Sequence, residues 1–229
     1  MTKNFSLKKK LIMALVSVLV VTFEFTGGKL LVGVVSGDLA RALASDAIYL
    51  VAFLILVWMY RDVLKADWKV YWKHIWRNLV LALIAWAIIK VGLEGIRWAM
   101  TQVGLSVSAV IMPASTSIND IKTIQIVSSL APLLAPFSEE IMFRGTLFYQ
   151  WTNSKIAGPI MFIVSSIAFG LVHWNSFNGQ IISMIPYMFM GAFFAFIYWK
   201  SGNIWHNIMA HLFFNSYPIL MALYGLFTM

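Results

Sequence analysis

The chain has 229 residues, 61% of them hydrophobic and 11% charged, with a net charge of +8 and a mean hydropathy of +0.82. A water-soluble domain carries about a quarter charged residues, so the composition excludes a soluble body and implies an all-α integral membrane protein, with length for about seven or eight spans of roughly 20 residues. Cysteine is absent, which excludes disulfides, thiolate nucleophiles and cysteine zinc sites; the basic residues fall between apolar runs and read as orientation signal and lipid-bilayer contact, with no nucleic-acid partner.

The first apolar run, Leu11 to Phe25, follows Lys8, Lys9 and Lys10. No clean small-x-small cleavage site follows, so an uncleaved first span is expected. A second run covers Ala47 to Tyr60. The most basic stretch comes next: Arg61, Lys65, Lys69, Lys73 and Arg77, interleaved with Trp68, Trp72 and Trp76. This pattern predicts a loop lying in the interface of an anionic leaflet. The third run, Leu79 to Met100, carries Lys90, Glu94 and Arg97 at i, i+4 and i+7, a spacing that allows an ion-paired ladder on one helix face.

A polar stretch from Thr101 to Lys122 closes a front part, 1–122, of transmembrane helices and basic loop. Its apolar middle, Val107 to Met112, is expected as a short re-entrant or surface segment. The remainder, 123–229, holds four further spans at about 123–150, 157–175, 181–199 and 203–228, a candidate four-helix catalytic core. Lys and Arg concentrate before span one, after span two, at Lys155 and at Lys200. The positive-inside rule then gives about seven spans in the cell membrane, a cytoplasmic N-terminus and an external C-terminus.

Three spans hold polar groups that a bare bundle does not need. Span four contains Glu139, Glu140 and Arg144, and each unpaired charge at mid-membrane costs roughly 2.5–3.5 kcal/mol on insertion scales. At about 100° per residue, Glu140 and Arg144 lie about 40° apart and can pair, whereas Glu139 lies about 140° from Arg144. Glu140 is therefore expected to hold the helix as an ion, and Glu139, desolvated and without that partner, to suit general-base work. Span five places Phe169 one turn before His173, and span seven places His211 one turn before Asn215. Counted from the inner ends, Glu139, His173 and His211 lie roughly 15, 21 and 10 Å deep, compatible with one cavity. A lone intramembrane histidine more often closes an interhelical hydrogen bond; the company of the Glu-Glu-Arg cluster tips the balance toward a site. His206 reads as interfacial and His74 as water-facing, while Pro132 and Pro136 should loosen span four and admit water. Asn175, Ser176 and Asn178 read as an external loop without chemistry.

With these residues named, the chain resembles the CPBP family of CAAX proteases and bacteriocin-processing or immunity proteins, also called the abortive-infection family. That family shows Glu-Glu-x-x-x-Arg, Phe-x-x-x-His and His-x-x-x-Asn motifs in this order on successive membrane helices. Here they read Glu139-Glu140 with Arg144, Phe169 with His173, and His211 with Asn215, within a similarity over roughly 123–220. The resemblance implies an intramembrane endopeptidase acting on a peptide or protein at the membrane. Glu139 and His173 would activate a water, with His211 and Asn215 stabilising the oxyanion. It also leaves open a non-enzymatic immunity protein on the same scaffold. Zinc is the alternative cofactor, with His173, His211 and Glu139 as ligands; the lack of His-Glu-x-x-His and the nearness of Arg144 favour a metal-free, cofactor-free mechanism.

Overall fold

The structure, a computed structural model, describes residues 6–105, 107 and 118–228, and of 118–122 and 226–228 the backbone alone. The expected re-entrant segment lies outside the described residues beyond Val107. No strand occurs among the described residues, and six of the described helices are long and apolar enough to cross a membrane.

Helix α1 runs Leu7–Gly33, longer at both ends than its apolar run. It starts at Ser6, whose hydroxyl accepts from Lys9 N at 3.3 Å, satisfying one of the orphan donors of a first turn. A π-turn at Phe23–Gly27 interrupts it and turns Glu24 into the bundle.

Helix α2 spans Asp38–Trp72, 35 residues without Gly or Pro, about 52 Å long against a hydrocarbon thickness of roughly 30 Å. The basic stretch expected as a loop is thus mostly the projecting end of this helix. With nothing to break the backbone bonds, charge alone does not end a helix. A turn at Lys73 and His74 leads into α3, Ile75–Gln102. On α3 the expected ladder reduces to one rung: Arg97 bonds Glu94 at 2.8 Å. Lys90 instead sits over the rings of Phe214 and Tyr217, at 5.0 and 4.6 Å.

The back half comprises α4 (Ile118–Ser128), α5 (Ala131–Glu140, continued by a π-helix, Ile141–Phe148), and α6 (Ala157–Leu171, ending in a 3₁₀ turn at Val172–Phe177). It continues with α7 (Ile181–Ser201), α8 (Ile204–Asn215) and α9 (Tyr217–Thr228). The last expected span is therefore two 12-residue helices broken at Ser216, each about 18 Å long and too short to cross alone. Pro218 is the physical reason: it has no N–H, and its ring would clash with the Phe214 carbonyl in a continuous helix.

One apolar core runs through both halves, from Met13 and Leu56 to Phe143, Phe169, Phe194 and Ile208. Helices α6 and α7 approach closely because Gly191 faces Ser166: a Cβ there would lie 2.7 Å from the Ser166 carbonyl oxygen. Two acids of α2 tie the front half to the back. Asp46 accepts from Ala131 N at 3.0 Å and Asp67 from Ile204 N at 3.2 Å, capping the orphan N–H groups that open α5 and α8. Leu15, Leu54, Val91 and Ile163 face outward while Glu139, Glu140, Arg144 and His211 are buried, the inverted distribution of a bundle solvated by lipid.

Candidate active site

The site grows from the irregular backbone of α5. Pro136 lies inside the helix and has no N–H to give the carbonyl four residues earlier. That orphaned carbonyl belongs to Pro132, and Asn215 of α8 donates to it from Nδ2 at 2.8 Å. The backbone freed by proline is thus taken by a side chain expected to serve the chemistry. Beyond Glu140 the helix widens into its π segment, and Ser165 of α6 donates to the Phe143 carbonyl within it at 3.0 Å.

Glu140 and Arg144 pair as the helical wheel requires, Arg144 Nη1 donating to Glu140 Oε1 at 3.2 Å with both side chains fully buried. Nη2 donates to the Gly191 carbonyl at 2.8 Å, a bond possible because α7 lies so near. The guanidinium also stacks on Phe169, Cζ 4.5 Å from the ring centroid. Paired, bonded and stacked, this cation meets the conditions under which a charge persists in a bundle.

His211 joins the same carboxylate: its Nδ1 lies 2.9 Å from Glu140 Oε1, and since the oxygen accepts, Nδ1 carries the proton. The ring stacks on Phe194, centroids 4.8 Å apart, and its Nε2 faces Glu139 Oε2 at 4.0 Å. Glu139 is 3% exposed, and its Oε2 has no hydrogen-bond partner. The two adjacent glutamates therefore bracket one imidazole and stand in different surroundings.

His173 occupies the 3₁₀ turn after α6, its Nδ1 2.9 Å from the Phe169 carbonyl. The carbonyl fixes the proton on Nδ1 and leaves Nε2 as an acceptor. The ring is half-buried among Phe25, Tyr187 and Phe169. The Phe169 ring lies against His173 at 5.5 Å, His211 at 5.8 Å and Arg144, so the motif phenylalanine is the hub joining the three motifs.

One buried acid escaped the sequence reading. Glu24 of α1 is 4% exposed, and Ser138 Oγ lies 3.0 Å from its Oε1 and 3.1 Å from the Ala135 carbonyl. The single hydroxyl proton serves one of these acceptors at a time. Glu24 and Glu139 are within electrostatic range of one another. A lone acid inside an apolar run was the available signal. Asn175, expected to lack a role, donates to the Phe25 carbonyl at 2.9 Å and accepts from Lys29 Nζ at 2.6 Å. Beside it a cavity of about 190 Å³ reaches Glu24, Tyr49 and Ser176.

Among the described residues no three histidine or acidic side chains are grouped as a metal requires, and Arg144 holds the carboxylate that His211 also uses.

Residues 122–217 match the family described as Type II CAAX prenyl endopeptidase Rce1-like. The chain is 33% identical over 106 residues to the Bacillus subtilis (strain 168) protein named "Putative membrane peptidase YdiL", covering 45% of this chain and 40% of that protein. It is 32% identical over 79 residues to the "UPF0177 protein YxdF" of Lactococcus lactis subsp. lactis (strain IL1403), covering 34% of this chain and 40% of that protein. The chain thus spans about two fifths of the length of the curated relatives it matches. No solved structure matches it significantly.

Proposed function

We propose that this chain, whose residues 122–217 carry the Rce1-like match, is a CPBP-family intramembrane endopeptidase that hydrolyses a peptide bond with Glu139 as general base. The observation that carries the proposal is the seat of His211, Nδ1 on Glu140 at 2.9 Å and Nε2 toward Glu139 at 4.0 Å. Two carboxylates against one guanidinium leave one negative charge over in a buried cluster. One proton shared between Glu139 and His211 neutralises this group; with it on the imidazole, Glu139 is free to act as the base and Nε2–H becomes a second donor.

In this reading Glu139 takes a proton from water as its oxygen attacks the scissile carbonyl carbon. His211 Nε2–H and the second N–H of Asn215 (the first is on Pro132) stabilise the oxyanion. His173 Nε2 accepts the water's other hydrogen and orients it. Collapse of the intermediate breaks the C–N bond, and the proton held by Glu139 passes to the leaving amine. Glu24 acts as a positioning residue through Ser138, immediately before Glu139. The substrate is a peptide or protein presented at the membrane, in bacteriocin processing or self-immunity.

The test compares membrane peptidomes of cells carrying the wild-type protein or Glu139→Gln. A set of cleavage products that disappears in the variant, at equal protein level, is expected, with activity surviving dialysis against strong chelators. Identical peptidomes, together with a biological protection that survives the substitution, would replace the enzyme by a binding protein on the same scaffold. Activity lost with bound zinc and restored with it would replace the metal-free mechanism.

A further inference from the structure

A second site lies away from the catalytic cluster, where the end of α2 and the start of α3 meet the end of α7 and the start of α8. A cavity of about 590 Å³ opens there, within the range of small-molecule sites. Its head is cationic and polar, with Arg77, Lys200, His74 and His206 on the rim. Its floor is apolar: Leu81, Ala85 and Ile88 of α3 face Phe193 and Ile197 of α7. Among the described residues no acidic side chain lines it.

Two observations fit an anion at this head. Arg77 donates to Asn78 Oδ1 at 3.4 Å and Lys200 lies 5.7 Å from the Phe196 ring centroid; neither has a carboxylate partner among the described residues. Independently, Tyr71 lines the cavity, is 1% exposed, and has no hydrogen-bond partner for its hydroxyl. A buried donor left unmade is costly, and a ligand oxygen at this place would satisfy it. Trp72 and Trp76 project outward beside it, the aromatic belt that marks headgroup level.

We propose that this cavity binds an anionic phospholipid, its phosphodiester held by Arg77, Lys200 and the Tyr71 hydroxyl and its acyl chains laid along the α3–α7 groove. An anion alone would use the head and leave the groove to water. A zwitterionic lipid would bring its phosphate together with a second cation, which finds no carboxylate in this head. The anionic lipid matches both. The reading is independent of the peptidase assignment.

The experiment titrates purified wild-type protein in neutral detergent with phosphatidylglycerol, phosphatidylcholine or water-soluble glycerol phosphate, reading melting midpoint and bound lipid by native mass spectrometry. Phosphatidylglycerol alone should raise the midpoint and remain bound. In Arg77→Gln with Lys200→Gln, whose side chains are exposed, its affinity should fall about tenfold or more, with an unchanged elution profile. Tyr71→Phe keeps the shape and should weaken phosphatidylglycerol selectively; it carries the test if the double variant does not fold. Equal shifts from phosphatidylcholine, an equal shift from glycerol phosphate, or full phosphatidylglycerol binding in the variants would each overturn the proposal.

Discussion

Glu140 Oε1 accepts at once from Arg144 Nη1 at 3.2 Å and from His211 Nδ1 at 2.9 Å. One carboxylate oxygen thereby ties the π segment of α5 to α8, with all three side chains buried. Removing either charge leaves the other buried without its ionic partner on the same helix. Glu140→Gln and Arg144→Gln should each cost about 3–5 kcal/mol, seen as lower yield and melting midpoint in detergent. The double change should recover part of the loss; the rest remains because Gly191 and His211 lose charged partners. Glu139→Gln should melt near the wild-type temperature. If Glu139→Gln is the variant that unfolds and Glu140→Gln the stable one, the two roles must be exchanged.

Gly191 links helix packing to the same ion. A Cβ at this position would lie 2.7 Å from the Ser166 carbonyl oxygen and 2.9 Å from Phe169 Cβ, neither able to swing away. Gly191→Ala should therefore push α7 from α6 at about 1–3 kcal/mol and draw its own carbonyl off Arg144. Gly95→Ala, where nothing lies within 4 Å, should leave the melting midpoint unchanged or slightly raised. Equal behaviour of the two variants in a thermal scan would contradict the close crossing.

Ser138 and Glu24 connect α5 to α1 at 3.0 Å. In a double-mutant cycle of Ser138→Ala and Glu24→Gln, the two losses of stability should fail to add by about 0.5–3 kcal/mol. Additive losses would mean that the hydroxyl spends its proton on Ala135 instead.

The charge pattern predicts orientation. Reporter fusions after Lys69, Lys155 and Lys200 should read cytoplasm, and a fusion after Asn178 should read the outside. An external signal at Lys69 or Lys155 would invert the bundle, and with it the leaflet that supplies the lipid to the Arg77–Lys200 cavity.

The sequence by itself determined the all-helical membrane character, because 61% hydrophobic residues cannot be covered by polar surface. It also determined the Glu140–Arg144 pair, because residues one turn apart on a helix meet whatever surrounds them. Local rules reach no further than a few turns. They missed that α2 continues through its basic stretch to Trp72, since no residue there breaks the backbone bonds. They also missed the weight of Pro218 at the break after Asn215. Only the tertiary structure decided which groups from distant helices meet. It brought His211 onto a carboxylate 71 residues away, and Glu24 onto Ser138 across 114 residues. It gave Asn215 to the Pro132 carbonyl left open by Pro136. In a bundle surrounded by lipid, buried polar groups draw their partners from inside the protein, and which partner a group finds depends on how the helices cross.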